Sequence, residues 1–239
     1  MKLICYLSNG YPSIETSVQT ARDYVEAGCD IIEVDFPSSD PYLEGEYIAG
    51  RMKKALENCS DYEKYMEGIR RIKEENPNTR LILMIYENTL SEIGADRFIS
   101  FCQENGFQDM IYVGSIDPEM KKKLIEHGMK ISCYIQFHMP EEEVQAAAAS
   151  NGFVYMQAKP ATGNINPKFP TLKNCIDHLK KLGITREIYC GVGIAAPEDI
   201  QMAREAGADG VFVGSTILKL QNDIPKMKKT IAEFKRKAL

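Results

Sequence analysis

The sequence predicts an α/β protein, a single-domain (β/α)₈ TIM barrel that spans residues 1–239. Three observations predict it: β-rich runs alternate with amphipathic helical stretches eight times, each unit takes about 30 residues, and no linker separates two halves. That unit length suits a right-handed crossover between parallel strands, and eight such units close into a barrel. An open doubly wound sheet is the alternative, but it rarely has eight strands without a dinucleotide fingerprint after the first.

Each predicted strand is a short run rich in β-branched or aromatic residues. The eight strands are residues 3–7, 30–36, 80–86, 109–113, 130–136, 152–157, 187–190 and 209–213. Helical spacing of apolar residues predicts helices at 14–27, 47–57, 61–75, 92–105, 117–127, 140–149, 170–182, 197–206 and 215–236. Residues 26–34 recur as 205–213, with a looser copy at 104–113, which indicates that one helix-to-strand turn is used repeatedly.

Composition excludes several classes of function. With 29 basic and 34 acidic residues the net charge is −5, so we expect no binding to nucleic acid or to an anionic membrane. The longest apolar runs are far shorter than the roughly 20 residues of a membrane helix, and no cleavable signal precedes the first strand, so we expect a cytoplasmic protein. The seven cysteines are scattered without a CxxC pair, which predicts reduced thiols. The three histidines lack metal-ligand spacing, so we expect no metal site.

Two glycine loops predict a phosphate site. Gly191 to Gly193 follow the seventh strand, and Gly214 with Ser215 follows the eighth, and each loop opens a predicted helix. Glycine lets backbone N–H groups approach a phosphate, and a helix N-terminus favours an anion. Either loop alone is equally consistent with a tight turn, but barrels commonly bind phosphate after strands seven and eight. The loop at 159–166 suits a lid, from which Lys159 and Thr162 would reach the ligand, unless it is only a surface loop.

Two glutamates are candidates for proton transfer. Glu33 lies inside an apolar run, and the alternation along the strand places it opposite Ile32 and Val34, facing the barrel interior near its mouth. Burial there would raise its pKa toward neutrality, as a general acid or base requires. The alternative is a strand glutamate held in an ion pair. Glu44 lies on a loop braced by Pro37 and Pro41, from which its side chain would reach a substrate above the barrel.

Several segments together resemble the tryptophan synthase α subunit family, whose members are (β/α)₈ barrels. The longest is AGCDIIEVDFPSSDPYLEG at 27–45. The others are YLSNGYP at 6–12, MIYEN at 84–88, TG at 162–163, GVGI at 191–194 and ADGVFVGS at 208–215. They are spread over five loops in the family's order, so the resemblance extends over nearly the whole chain.

The resemblance implies a lyase that uses no cofactor and cleaves indole-3-glycerol phosphate to indole and glyceraldehyde 3-phosphate. It implies that Glu33 handles the proton at indole C3 and that Glu44 takes the place of the aspartate that accepts from the indole N–H. Further residues match substrate- or phosphate-binding positions: Tyr86, Thr162, Gly163, Gly193, Gly214 and Ser215. Thr162 matches the lid threonine that orients the aspartate. A tryptophan synthase β subunit is the implied protein partner, beside the phosphorylated substrate.

The sequence also departs from the family pattern, chiefly around the indole. Glu44 replaces the aspartate, Asp35 stands where glycine is usual, and Ser38 stands where phenylalanine is usual. Lys159 replaces an arginine, and residues 113–117 differ from the segment that the family uses toward its β subunit. The chain is therefore identified as a divergent member or a paralogue. Two other functions remain open: a phosphate-binding barrel acting on another sugar phosphate, and a non-catalytic regulator that binds a phosphorylated metabolite.

Overall fold

A computed structural model describes residues 1–114, 117–161 and 164–239. Its strands form one parallel sheet in the order β5-β4-β3-β2-β1-β9-β8-β7-β6. They are β1 (Lys2–Leu7), β2 (Ile31–Asp35), β3 (Arg80–Tyr86), β4 (Asp109–Val113), β5 (Lys130–Ile131), β6 (Cys133–Ile135), β7 (Val154–Gln157), β8 (Ile188–Gly191) and β9 (Gly210–Val213).

The two ends of this sheet are consecutive in sequence, and this closes the barrel. The predicted fifth strand at 130–136 is divided at Ser132, so that β5 pairs with β4 and β6 pairs with β7. Ser132 N–H donates to the Met110 carbonyl at 2.9 Å, and Cys133 N–H donates to the Phe153 carbonyl at 3.1 Å. One short segment therefore bridges both edges. The predicted TIM barrel is confirmed, with the fifth strand as two short pieces.

Helices follow the strands around the outside of the barrel. They are α1 (Ile14–Glu26), α2 (Glu46–Asn58), α3 (Tyr62–Glu75), α4 (Glu87–Ile93), α5 (Ala95–Asn105), α6 (Pro118–Glu126), α7 (Glu141–Ala149), α8 (Leu172–Lys181), α9 (Pro197–Ala206), α10 (Ser215–Leu218) and α11 (Ile224–Ala238). Two predictions were wrong in detail. The sequence did not predict α4, and the predicted helix 215–236 is two helices, because Asp223 caps a new start by accepting from Lys226 N–H.

The strands have two apolar faces, as alternation predicts. Ile32 and Val34 pack with helix residues in the larger core outside the barrel. A second cluster consists almost entirely of strand side chains and fills the barrel interior: Ile4, Tyr6, Ile31, Ile82, Met84, Tyr86, Ile111, Phe153, Tyr189 and Phe212. Glu33 lies between Ile32 and Val34 in the strand, so it belongs to the interior face.

The two ends of the barrel differ in chemistry. At the N-terminal end, Arg80 donates to Asp109, to Glu187 and to the Tyr189 hydroxyl at 2.7, 2.7 and 2.9 Å. This network joins β3, β4 and β8 and occupies the end away from the loops that follow the strands. The C-terminal end is the place where barrels carry binding and catalytic loops.

Three general features bear on the predicted classes of function. No helix within the described residues is both long and apolar enough to cross a membrane. The seven cysteines are all free, and six of them are buried. The described part of the chain contains no group of three or more His, Cys, Asp or Glu side chains arranged to hold a metal ion.

Candidate active site

Glu33 on β2 faces the barrel interior and is 6% exposed. Within the described residues no side chain or backbone group donates a hydrogen bond to its carboxyl. Burial raises the pKa of Glu33 well above its ordinary value, and the nearby negative charges of Glu44 and Asp35 raise it further. Glu33 is therefore a carboxyl that keeps its proton at pH values where an exposed glutamate has lost it.

The loop between β2 and α2 brings Glu44 to the same region. The Tyr86 hydroxyl at the end of β3 donates to Glu44 Oε1 at 3.4 Å, and the Tyr42 ring packs edge-on against Tyr86 at 5.5 Å. Burial raises the pKa of Glu44, while the hydrogen bond from Tyr86 opposes that change. The loop is thus folded over the barrel mouth, with Glu44 close enough to Glu33 for their charges to interact.

Asp35 lies two residues beyond Glu33 and is completely buried. It accepts a hydrogen bond from the Tyr6 hydroxyl on β1 and another from the backbone N–H of Asn9, at 2.6 Å. Burial raises the pKa of Asp35 to about 7, although both hydrogen bonds act in the opposite direction. Ser38, the other departure on this side, donates to Asn88 Oδ1 at 3.0 Å, so its hydroxyl joins the loop after β2 to α4.

Tyr155 on β7 is a residue of the site that was not among those predicted from the sequence. Its ring stacks on Phe212 at 4.4 Å between centroids, and a side chain at Gly191 would collide with it. Burial raises the pKa of Tyr155, with the charge of Glu33 as the second cause, so its hydroxyl lies near Glu33. The inward alternation that identified Glu33 would also have identified Tyr155, because Phe153 and Tyr155 alternate in the same way.

The two glycine loops present unused backbone donors on neighbouring strands. After β8, Val192 and Gly193 have φ values of 57° and 95°, and the left-handed conformation is strained for valine. No described residue accepts from the N–H groups of Gly193 and Ile194, or from those of Ser215 and Thr216 after β9. Because α10 has four residues, its dipole adds less than the predicted long helix would, and the N–H groups themselves are the main attraction for an anion.

Lys159, two residues beyond the end of β7, forms an ion pair with Asp199. Its Nζ lies 2.6 Å from Asp199 Oδ1, and the other oxygen of Asp199 accepts from the N–H groups of Ala195 and Ala196. Lys159 therefore braces the loop after β8, whereas its place in the predicted lid loop suggested that it reaches a ligand. Thr162 and Gly163, two predicted binding residues, lie outside the described residues.

The structure thus brings Glu33, Glu44 and Tyr86 together at one side of the barrel mouth. Gly193, Gly214 and Ser215 lie on the loops after β8 and β9, and β1 separates β9 from β2. The arrangement provides a buried carboxyl, Glu33, whose pKa is raised by burial and, two or three strands away, backbone donors for an anion. Such a site can transfer a proton to the uncharged part of a ligand whose phosphate is held by the backbone.

Comparisons with known proteins agree with one another. The family model described as "Tryptophan synthase alpha chain" matches residues 1–238. The tryptophan synthase alpha chain of Aquifex aeolicus is 29% identical over 98% of this chain and 91% of its own length. The one from Mycobacterium marinum is 30% identical over 97% and 87%. Among solved structures, a chain of tryptophan synthase from M. tuberculosis superposes with a TM-score of 0.83 at 26% identity, covering 99% of this chain and 92% of that one. The tryptophan synthase alpha subunit of Campylobacter jejuni gives 0.82 at 25% identity, covering 98% and 95%.

Proposed function

The chain belongs to the tryptophan synthase alpha chain family, and we propose that it is a carbon–carbon lyase that cleaves indole-3-glycerol phosphate into indole and glyceraldehyde 3-phosphate. The observation that carries the proposal is Glu33, an inward-facing carboxyl at the barrel mouth whose buried position favours the protonated form. Family membership supports the same reaction and a cytoplasmic role in tryptophan biosynthesis.

Glu33 supplies and recovers the proton of the reaction. Its carboxyl gives a proton to indole C3, and the ring nitrogen then carries positive charge and draws electrons. The bond between C3 and the glycerol carbon breaks, with its electron pair returning to the ring. The hydroxyl on that carbon becomes the aldehyde as its proton passes to the Glu33 carboxylate. The proton count is balanced, so the reaction needs no other donor.

Glu44 stabilises the charge that develops on the ring. A carboxylate against the indole N–H favours the protonated ring over the neutral one, so it acts most strongly when C3 has been protonated. The hydrogen bond from Tyr86 positions Glu44 and favours its ionised form. Glu44 is one methylene longer than the family's aspartate, and the contact between the Tyr42 and Tyr86 rings holds its loop against the end of β3.

The phosphate of the substrate binds to the two glycine loops. The N–H groups of Gly193, Ile194, Ser215 and Thr216 have no acceptor among the described residues, and they provide donors without a basic patch, which fits a chain with net charge −5. By analogy with the family, Thr162 and Gly163 also bind the substrate. The protein partner is a tryptophan synthase β subunit, as it is for the family.

The test is release of indole from indole-3-glycerol phosphate by the wild type and by Glu33→Gln, with and without a β subunit. Loss of the acid should reduce turnover at least about 100-fold, while affinity for inorganic phosphate stays close to wild type. Glu233→Gln, an exposed glutamate on α11, is the matched control and should retain activity.

Two outcomes would contradict the proposal. If Glu33→Gln released indole at a normal rate, Glu33 would not be the acid. If the wild type bound phosphate but released no indole under any condition, the substrate would be a different phosphorylated compound. The buried Asp35 favours this second candidate, because it makes the indole side of the site more polar.

A further inference from the structure

The Tyr6 hydroxyl has one proton and three carboxyls near it. Tyr6 is the register partner of Glu33 on the neighbouring strand, and both side chains face the barrel interior. The pKa of Tyr6 is raised by burial and by the negative charges of Asp35, Glu44 and Glu33, so its hydroxyl lies within electrostatic reach of all three. The Tyr6 hydroxyl uses this proton to donate a hydrogen bond to Asp35.

We propose that ionised Asp35 is a positioning residue for Glu33: by accepting the only proton of the Tyr6 hydroxyl, its carboxylate prevents Tyr6 from donating a hydrogen bond to Glu33. The inference rests on the proposed function, in which Glu33 is the proton donor. Hydrogen bonds to a carboxylate stabilise its charged form, so a donor beside Glu33 would make it a weaker source of protons for indole C3. Asp35 removes that donor.

A fixed backbone donor sets the direction of the Tyr6 hydrogen bond. The N–H of Asn9 points at Asp35 Oδ1 at 2.6 Å, and a backbone N–H can donate but not accept. An asparagine at position 35 would therefore keep its carbonyl oxygen toward Asn9 and turn its NH₂ group toward the Tyr6 oxygen. The Tyr6 hydroxyl would become the acceptor, and its own proton would be free to point at Glu33. Asp35→Asn is thus an isosteric change that reverses one hydrogen bond.

The influence of nearby charges on the protonation of Glu33 has to be separated from the influence of the Tyr6 hydrogen bond. Facing groups come from several elements: Tyr6 on β1, Asp35 on β2, Glu44 on the following loop, Tyr86 on β3 and Tyr155 on β7. Arg51 on α2 acts on Asp35. The negative charge of Asp35 itself favours protonated Glu33, so Asp35→Asn would favour ionised Glu33 even without any change in hydrogen bonding. That charge effect does not depend on the Tyr6 hydroxyl, and Tyr6→Phe isolates it.

The experiment compares wild type, Asp35→Asn, Tyr6→Phe and the double variant. The protonation midpoint of Glu33 is followed by the infrared carbonyl band of its protonated carboxyl, assigned by its loss in Glu33→Gln. We expect Asp35→Asn to lower the midpoint by about one pH unit more when Tyr6 is present than in the Tyr6→Phe background. Equal shifts in the two backgrounds would overturn the proposal, because Asp35 would then act through its charge alone.

Tyr6→Phe alone gives a second test that does not depend on how well Asp35→Asn folds. If Tyr6 donates to Asp35 and not to Glu33, removing its hydroxyl takes no donor away from Glu33, and the midpoint should stay within a few tenths of a pH unit of wild type. A clear rise of the midpoint would mean that Tyr6 already donates to Glu33, and would overturn the proposal.

The pH profile of indole release separates this inference from the proposed reaction. If both hold, the high-pH limb of the profile moves with the infrared midpoint in all four proteins. If the infrared shifts occur as expected and no protein releases indole, the hydrogen-bond arrangement stands and the proposed substrate fails. If indole is released but the shifts are equal in both backgrounds, the reaction stands and the role of Asp35 fails.

Discussion

Glu33 and Asp35 lie two residues apart on β2 and face the same interior, but of the two only Asp35 accepts hydrogen bonds from described residues. Alternation within an apolar run places Glu33 inward, and burial then predicts the direction of its pKa, so both follow from local sequence. The partners of Asp35 come from β1 and the loop after it, 29 and 26 residues away. Those contacts depend on strand register, which local patterns do not specify.

The buried carboxyl of Asp35 should make stability fall as pH rises. Its pKa is raised from 3.8 to about 7, so between those values the folded state holds a proton that the unfolded chain has released. The stability contribution is complete below about pH 4 and is lost by about pH 7, a loss of up to about 4 kcal/mol from this group. Asp35→Asn cannot ionise and should have a smaller pH dependence.

Urea unfolding of both proteins at pH 5 and pH 8 measures the difference. Glu33 adds a slope of the same sign, so the variant retains part of the pH dependence. Asp177→Asn on α8 is the control: Lys173 lowers the pKa of this half-exposed aspartate, so its removal should not flatten the slope. The same loss of stability in wild type and Asp35→Asn would contradict the prediction.

At the scale of elements, the sequence located strands better than it located their ends and breaks. The bounds of β3 and β4 agree with the predicted 80–86 and 109–113. The division of the fifth strand at Ser132 arises from pairing with two different neighbours, Met110 and Phe153, which are distant in sequence. By contrast, the start of α11 could have been predicted, because Asp223 followed by Pro225 is a helix start signal.

Gly152 should be indispensable to the closure of the barrel between β5 and β6. A Cβ on Gly152 would collide with the backbone carbon and oxygen of Ile131, and backbone atoms cannot turn aside as a flexible side chain can. Gly152→Ala should therefore destabilise the fold by roughly 3 kcal/mol or more, as strained substitutions in packed regions do. Gly50→Ala is the matched control: nothing lies within 4 Å of its added Cβ, and it is in the interior of α2.

The two alanine variants should change the stability of the protein in opposite directions. Alanine replaces glycine within a helix with a gain of about 0.5–1 kcal/mol, so Gly50→Ala should raise the midpoint of thermal unfolding while Gly152→Ala lowers it. If Gly152→Ala unfolded at the wild-type temperature, the close approach of residues 131 and 152 would not be required for closure.

The loop after β9 should bind an anion through its backbone, and Gly214 allows a clean test. Its φ is −113°, outside the left-handed region, and the nearest atom to an added Cβ is 3.8 Å away, so an added side chain meets no close contact. Gly214→Asp places a negative charge beside the backbone N–H groups of this loop and should weaken binding of inorganic phosphate by about tenfold or more. Gly214→Asn, with the same size and no charge, is the control and should bind more tightly than Gly214→Asp. Equal affinity of both variants and wild type, measured by calorimetry, would place the phosphate elsewhere.

For the molecule as a whole, the count of alternating units was enough to predict the barrel, because eight crossover units of one hand have few other solutions. The sequence predicted polar residues at the C-terminal end of the barrel but not the network at its N-terminal end. Loops after strands drew attention to the mouth, whereas the network around Arg80 joins residues 29 and 107 positions apart and has no local pattern.

A substitution at the N-terminal end of the barrel should therefore lower stability without lowering activity. Arg80→Met leaves Asp109 and Glu187 without their shared partner, and because Arg80 and Glu187 keep some contact with water the cost should be about 1–3 kcal/mol. Arg97→Met, which breaks an exposed pair with Glu63, is the control and should cost under about 1 kcal/mol. Urea unfolding measures both changes.

At a temperature where all the proteins remain folded, Arg80→Met should release indole at the wild-type rate, since its contacts lie at the end of the barrel away from Glu33. A variant of Arg80 that kept full stability but lost turnover would mean that the two ends are coupled through the barrel interior, and the separation of roles would be wrong.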